Sequence, residues 1–335
     1  MKVHHSAFQI AQVELELALD DWQPGHMIFI VGPSGVGKTT LRRQVMRKLL
    51  GAPKYWGRGL VPSIEVFASL PHNAYFSSRE LAADLVEQLR CPSLDWISDE
   101  KEAPDPWLAT MSADIESARN AWKSLARKYT SEGDLWRCAG ELMRARQCRY
   151  ICLDQATALL YNHRNLEPAQ HVTQLMTLAE KAGVMFVMTG VPGVTKLWEI
   201  HYELRRRVSV VWMPPYNVRT DWDREQFLRL LITMETMEKL ESAFLLVTMS
   251  DELLAATGGI FAEVLQLLKR ARVACRKRGG NGLSRSDIRS AVYPERDLAA
   301  LWDDVRRFEK ARAAADLSSY EPTKRRESKL LASGG

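Results

Sequence analysis

The 335-residue sequence lacks the features by which membrane, secreted and zinc-binding proteins are usually recognised. No apolar run approaches the roughly 18–20 residues that a membrane-spanning helix needs. The five cysteines are an odd number with no CxxC spacing, and the seven histidines form no HExxH motif. These absences argue against a disulfide framework and against the common zinc sites. We therefore expect a cytoplasmic protein with reduced thiols and no membrane contact.

Negative charge is scarce toward the end of the sequence. From Lys269 to Gly335 the chain has 17 basic and 9 acidic residues, whereas the whole chain has 46 and 41. The positive excess therefore lies in this region, and the rest of the chain is slightly acidic. This asymmetry predicts a polyanion or an acidic partner at the C-terminal end.

Strand and helix patterns alternate over the first two thirds of the chain. Short apolar runs at Met27–Val31, Ser63–Ala68, Tyr150–Leu153 and "GVMFVMTGVPG" are typical of buried strands, and amphipathic segments between them are typical of helices. This alternation predicts an α/β fold in which helices cover both faces of a parallel sheet.

The pattern changes at Asn217, after which it is helical only. We expect an α/β nucleotide-binding domain over residues 1–216, with an insertion at about 91–130, and a small all-helical lid domain over 217–295. Residues 296–335 are expected to form a last helix and a flexible basic tail, because the tail is polar and rich in charge.

The segment "GPSGVGKTT" fits the pattern GxxxxGK[ST] between a predicted strand and a predicted helix, which identifies a phosphate-binding loop, or P-loop. Its glycines let backbone amides surround phosphate, and the helix N-terminus adds partial positive charge. Lys38 is expected to reach the β- and γ-phosphates of ATP, and the Thr39 hydroxyl to bind Mg²⁺. The predicted nucleotide-binding residues are Gly32, Pro33, Ser34, Gly35, Val36, Gly37, Lys38, Thr39 and Thr40.

A second predicted Mg²⁺ ligand, Asp154, ends the apolar strand of "YICLDQAT". The next residue is Gln155, where an ATPase usually has a glutamate that activates water. Losing a general base lowers a rate by about 10²–10⁴-fold, but binding of Mg·ATP needs no such carboxylate. We therefore predict that nucleotide is held and hydrolysed poorly. Gln155 is either a deliberate substitution, which we favour, or natural, and Glu65 on the neighbouring strand is an alternative base.

The order of these motifs resembles the AAA+ family. A P-loop strand and a magnesium aspartate are followed by a strand ending in Thr189, then by "ELRRRVSVV" and a helical region. The resemblance implies that Thr189 is the first sensor, which orients the attacking water. It also implies that Arg206 or Arg207, ahead of Arg205, is an arginine finger that reaches the γ-phosphate of a neighbouring subunit, so that the protein works as an oligomer.

One feature of the family is missing from the lid. The segment "TGGIFAEVLQLLKRA" is similar to the family pattern, but apolar residues or Glu263 stand where the second-sensor arginine is expected. This departure argues against vigorous hydrolysis of the kind seen in clamp loaders.

Several flanking segments are similar to the TnsC/TniB branch of AAA+ proteins, the regulators of Tn7-like and related transposons, some of them CRISPR-associated. These segments are "MIFIVGPSGVGKTTLRR", "FSSRELAADLVEQL", "VMTGVP" and "LRRRV…PPY". The resemblance implies ATP-dependent rings or filaments around duplex DNA. It also implies that the protein connects a TniQ-type target-selection protein to the transposase subunits.

Two basic segments are candidate DNA contacts. "KRARVACRKR" includes Lys269, Arg270 and Arg272, and the insertion carries Lys123, Arg127 and Lys128 on a predicted helix. The alternative for either segment is a solvated helix face. Because no aromatic residues are interleaved with the basic ones, we expect non-specific, salt-dependent contacts with the phosphate backbone.

Three other functions fit the P-loop. A replication-type helicase or clamp loader has the same fold, but the missing lid arginine argues against it. A small-molecule phosphotransferase would need an acceptor pocket beneath a lid, and the long helical C-terminal region argues against that. A signalling NTPase switch is a minor alternative.

Overall fold

The computed structural model describes residues 6–57, 59–68, 75–97, 131–161, 168–199 and 202–315. Most of the predicted insertion and the whole predicted basic tail lie outside these ranges. The predictions made for Lys123, Arg127 and Lys128 therefore also lie outside the described residues.

Five strands form one parallel sheet in the order β2-β3-β4-β1-β5. They are β1 (Met27–Val31), β2 (Ser63–Phe67), β3 (Tyr150–Asp154), β4 (Met185–Gly190) and β5 (Val208–Trp212). Strands β1, β3 and β4 are buried along their whole length, which explains their continuous apolar sequences. One strand, β4, thus separates the P-loop strand from the strand that ends at Asp154.

Helices cover both faces of the sheet and continue after it. Before the last strand these are α1 (Ser6–Asp20), α2 (Lys38–Leu50), α3 (Ser78–Arg90), α4 (Glu132–Ala145), α5 (Pro168–Ala182), α6 (Lys196–Glu199) and α7 (Tyr202–Arg205). After it come α8 (Asp221–Glu235), α9 (Leu245–Thr248), α10 (Ser250–Thr257), α11 (Phe261–Lys277), α12 (Arg285–Ser290) and α13 (Glu295–Ala315). Short 3₁₀ helices occupy Pro53–Tyr55, Ala156–Leu160 and Pro192–Thr195.

Two separate cores form on the two faces of the sheet because successive strand residues point in opposite directions. Phe29 belongs to the core with α3, α4 and α5, whereas Ile28 and Ile30 belong to the core with α1 and α2. The predicted fold class, a parallel sheet between helices followed by a helical region, is confirmed.

A third core is built from the helices after β5. Phe227, Leu231, Leu246 and Leu267 are among its most buried members. Local signals define these helices: Thr220 caps α8, and Ser284 and Asp287 form a capping box at α12. The exact domain boundary at residue 217 stays a prediction.

The last helix, α13, returns from this third core to the α/β part of the chain. Val305 joins the core on the α1–α2 side, and Phe308 makes an edge-on contact with Trp212 at a centroid distance of 5.8 Å. Within the described ranges, no helix combines the length and apolar character that crossing a bilayer requires.

Candidate nucleotide site

The P-loop connects β1 to α2 and is shaped by glycine. Gly35 and Gly37 have φ of 83° and 102°, in the region that favours glycine. The loop encloses the amine of Lys38, whose Nζ donates to the carbonyl oxygens of Gly32 at 2.8 Å and Pro33 at 2.7 Å. Burial lowers the pKa of Lys38 to about 8. The loop therefore holds a cation at the place where phosphate is expected.

Asp154 lies at the centre of a hydrogen-bond network at the carboxyl ends of the strands. Thr39 Oγ1 donates to Asp154 Oδ2 at 2.7 Å, and Thr189 Oγ1 donates to Oδ1, which also accepts the Gln155 amide at 2.8 Å. Burial alone would raise the pKa of Asp154, but the Arg42 guanidinium and these hydrogen bonds hold it below its usual range. The structure thus places three predicted site residues around one ionised carboxylate.

The donor set suits Mg²⁺. Thr39 and Asp154 offer a hydroxyl and a carboxylate oxygen, and Mg²⁺ is usually bound by one or two carboxylates together with substrate phosphates. No cluster of three or more His, Cys, Asp or Glu residues occurs in the described part of the chain. The protein therefore provides an open, oxygen-rich position and no closed metal cage there.

A cavity of about 730 Å³ opens beside the loop. Gln155 lines it with an exposed side chain and a backbone in the left-handed region, at φ 56°. Of the described residues that line this cavity, Asp154 is the only carboxylate and Lys38 is the only cation. The described lining therefore contains no second carboxylate that could take a proton from water.

Glu65, the alternative base, is held elsewhere. Its carboxylate pairs with buried Arg42 and accepts hydrogen bonds from Arg43 Nε at 3.0 Å and Nη2 at 2.7 Å. Two guanidinium groups thus occupy its carboxylate oxygens. Glu65 is also absent from the cavity lining. The geometry gives no support to Glu65 as the base.

Sequence reasoning missed the arginines of α2. Arg42 is fully buried, and its Nη2 lies 3.3 Å from Asp154 Oδ2 as well as against Glu65. The sequence did contain a signal for this contact. Glu65 is an acidic residue inside an otherwise apolar strand, and a buried carboxylate is usually paired with a cation. Arg42 follows Thr39 by three residues and so shares its side of α2.

The helical region contributes apolar groups to the cavity. Ala262 at the start of α11 donates its amide to the Gly35 carbonyl at 3.2 Å, and Phe261, Ala262 and Leu265 line the cavity. A Cβ at Gly35 would lie 2.8 Å from the Ala262 Cβ, so only glycine allows this contact. No lysine or arginine of α11 is among the described lining residues.

The three consecutive arginines lie at the amino edge of the sheet, because they immediately precede β5. The P-loop lies at the opposite edge, about 16 Å away by the length of a five-residue strand. Arg207 pairs with Glu180 of α5, whereas Arg205 and Arg206 are exposed and form no ion pair with another described residue. None of them belongs to the cavity lining of its own chain.

The last helix touches the P-loop, a contact that no sequence pattern indicated. The Ser34 amide donates to Asp304 Oδ2 at 3.3 Å. Asp304 also acts electrostatically on Lys38, whose pKa it raises against the larger effect of burial. A carboxylate of α13 therefore lies close to the phosphate-binding loop.

The predicted DNA contacts on α11 have different surroundings. Arg270 donates to the Ala291 carbonyl at 2.8 Å and lies over the Tyr293 ring, and Arg272 pairs with Glu238 at 3.0 Å. Lys269 is exposed and makes no ion pair with another described residue. Part of this basic run thus stabilises the helical region itself.

The chain matches the family model of the AAA domain over residues 23–198, just over half of its length. No curated protein sequence matches it. The identities to solved structures are low, so a similarity with a TM-score of at least 0.50 indicates the fold and nothing more. The structures include the ORC2 protein of Aeropyrum pernix in ADPNP–ADP complexes, at 15% identity over 85% of this chain and 66% of that chain, with a TM-score of 0.50. They also include the Walker-type ATPase of Pyrococcus abyssi, at 15% identity over 89% of this chain and 88% of that chain, with a TM-score of 0.48. A third is Drosophila ORC bound to DNA, at 14% identity over 99% of this chain and 85% of that chain, with a TM-score of 0.48.

Proposed function

Because this chain belongs to the AAA domain family, we propose that it is an AAA+ ATPase of the TnsC/TniB type that regulates DNA transposition. It assembles with ATP on duplex DNA as a ring or filament. There it links a TniQ-type target-selection protein to transposase subunits. The AAA+ ATPase fold rests on the family match and the sheet, and the transposition role rests on the flanking segments of the sequence.

ATP binding rests on the P-loop. Its amides and Lys38 bind the phosphates, while Thr39 and Asp154 offer oxygen ligands to Mg²⁺. When bound, Mg²⁺ neutralises charge on the β- and γ-phosphate oxygens. Thr189 donates a hydrogen bond to the Asp154 carboxylate, and in the proposed reaction it also orients the attacking water.

In this proposal hydrolysis is slow, because the described lining of the cavity offers no carboxylate beyond Asp154 that could serve as the base. The Gln155 amide can hydrogen-bond to water but cannot accept its proton, and the single carboxylate in the described cavity lining is already the proposed metal ligand. Nucleotide is therefore held longer than it would be with glutamate at this position.

One observation carries the proposal of an assembly. The described lining of the ATP site contains one cation, whereas exposed Arg205 and Arg206 lie at the opposite edge of the sheet. An arginine finger supplied by another subunit can raise a phosphoryl-transfer rate by about 10³–10⁵-fold. Because Arg207 is engaged by Glu180, Arg206 is the leading finger candidate and Arg205 the next.

The decisive experiment compares this chain with Gln155→Glu. We expect at least about 100-fold faster ATP hydrolysis with glutamate, which restores the base, and faster loss of assemblies seen by electron microscopy on DNA. Arg206→Ala in either background should abolish assembly and retain ATP binding. Equal hydrolysis by the two proteins would place the base elsewhere, and failure of both to assemble on DNA with ATP would contradict the proposed function.

Activity assays distinguish the replication-type alternative from the proposed function. A helicase unwinds a forked duplex with ATP, and a clamp loader closes a ring-shaped clamp on DNA. Neither activity is expected from this chain or from Gln155→Glu. Transfer of the γ-phosphate to an added small acceptor would instead indicate a phosphotransferase.

A further inference from the structure

Helix α1 has two apolar faces, and only one of them is covered. Phe8, Ala11, Leu15 and Leu19 are buried in the core beside α2. On the other side, the outer stripe of Ile10, Val13 and Leu17 is exposed by 51%, 56% and 64%. Three exposed aliphatic side chains at helical spacing form a continuous surface and are not scattered single residues.

Acidic residues accompany the outer stripe. Glu14, Asp20 and Asp21 are exposed on α1 and directly after it, and α1 contains no basic residue. Helix α1 therefore presents an apolar stripe with a negative border.

A groove between α4 and α5 has the complementary character. Its cavity of about 530 Å³ is lined by apolar groups of Trp136, Gly140 and Leu178. Its basic border consists of Arg137, Arg144 and Lys181. The helices approach closely at Gly140, where a Cβ would lie 3.3 Å from Leu178 Cδ1.

The two surfaces match in length as well as in charge. Ile10 and Leu17 are seven residues apart, as are Arg137 and Arg144. Seven helical residues correspond to about 10 Å. An amphipathic helix seated in an apolar groove, with opposite charges at the border, is a common mode of protein recognition.

The two surfaces cannot meet within one chain. Helix α1 packs on the face of the sheet that carries α2, and α4 and α5 pack on the other face. Two different surfaces on opposite sides of one chain give a head-to-tail contact between copies, which continues into a ring or a helical filament.

Each surface also adjoins one half of the ATP site. The Phe8 ring of α1 lies 3.9 Å from the position of a Cβ on Gly37 in the P-loop. At the groove, Lys181 follows Glu180, which pairs with Arg207 in the arginine segment. A contact between the two surfaces therefore brings the arginine segment of one copy toward the P-loop of the next.

We propose that the outer stripe of α1 docks into the α4–α5 groove of a second copy of this chain. This contact forms the apolar part of the subunit interface, beside the shared ATP site. The inference rests on the proposed function, because the assembly that it explains is the one proposed there.

Reversal of charge tests the contact without assuming which acid meets which base. One variant changes Glu14, Asp20 and Asp21 to Lys, a second changes Arg137, Arg144 and Lys181 to Glu, and a third combines both sets. Mass photometry with ATP should show at least tenfold weaker assembly for each single set and substantial recovery for the combination. ATP binding by each variant, measured with a fluorescent analogue, confirms folding.

A substitution within the stripe tests its apolar part. Leu17→Glu should weaken assembly at least tenfold, whereas Ile232→Glu, at a comparably exposed aliphatic residue of α8, should leave it unchanged. Normal assembly of Leu17→Glu, or no recovery in the combined charge variant, would overturn the inference. If Arg206→Ala still abolishes assembly in that case, the proposed function survives and only this interface fails.

Discussion

At the scale of single residues, charged side chains are buried beside the ATP site, where pairing with opposite charges stabilises them. Arg42 is fully buried yet faces two carboxylates, Glu65 and Asp154. Pairing is what makes such burial tolerable, since an unpaired charge in a protein interior costs several kcal/mol. In the part of the chain that the structure describes, another half-buried acid forms no ion pair.

That acid is Asp84 on α3. Burial, with smaller contributions from the nearby Glu87 and Glu80 carboxylates, raises its pKa to about 6. A pKa above the unfolded value of about 3.9 means that ionised Asp84 destabilises the fold, with the full cost present above about pH 6. The shift corresponds to about 3 kcal/mol, and solvent screening of this partly exposed group reduces it. Asp84→Asn should therefore raise the free energy of unfolding by about 2 kcal/mol at pH 7.5 and by about 0.5 kcal/mol or less near pH 4. Urea unfolding at both pH values measures this.

A matched control is Asp95→Asn, because Asp95 is exposed. It should change stability little at either pH. A gain from Asp84→Asn that does not depend on pH would show that packing, and not ionisation, causes the effect.

At the scale of elements, the last helix connects the helical region to the P-loop. Asp304 accepts the Ser34 amide, and Phe308 of the same helix packs on Trp212. A bound triphosphate brings several negative charges toward this carboxylate, and like charges repel. By linkage, a contact that nucleotide weakens must itself weaken nucleotide binding.

Asp304→Asn should therefore tighten ATP binding by about 5–10-fold, at the low end of the usual range of coupling between sites. Titration of a fluorescent ATP analogue at low salt measures the change, and high salt should reduce it. Asp303→Asn serves as the control, because Asp303 is the preceding residue of the same helix but is exposed and pairs with Arg306 at 2.6 Å. Weaker binding by Asp304→Asn would show that the carboxylate assists the nucleotide.

Sequence patterns predicted the elements whose signals are local. The P-loop lies within nine residues, and the strand before Asp154 is a continuous apolar run. The contacts of Ser34 with Asp304 and of Glu65 with Arg42 join residues that are 270 and 23 positions apart. No local period encodes such pairs, because they depend on how separate elements pack. The left-handed backbone of Gln155 could not be predicted from the sequence either, because glutamine has no preference for that conformation.

At the scale of the whole molecule, positive charge is concentrated near the C-terminal end, but the structure uses much of it internally. Arg278 pairs with Asp287 and Glu241, as Arg272 does with Glu238. Lys269, Arg276 and Lys277 are exposed on α11 and make no ion pair with another described residue. Within the basic run of α11, these three are the remaining candidates for the proposed DNA phosphate contacts.

Their joint replacement by alanine should weaken duplex binding equally for all sequences. It should also lower the slope of log affinity against log salt by about 2–3, because each phosphate contact contributes about 0.9. Fluorescence anisotropy at several salt concentrations measures the slope. Arg229→Ala, at an exposed arginine that pairs with Glu225, should leave the slope unchanged. An unchanged slope in the triple variant would place the DNA-binding surface elsewhere.

Because Arg205 and Arg206 lie far from their own P-loop, a filament of the proposed kind would be polar, with two different ends. In the proposed filament, each interior ATP would have protein on both sides, but the P-loop at one end would have no following subunit to cover it. That last nucleotide can exchange while those behind it are enclosed. Growth and shrinkage of such a filament would therefore differ in rate between its two ends. A partner that binds over the exposed P-loop would stop both processes at that end.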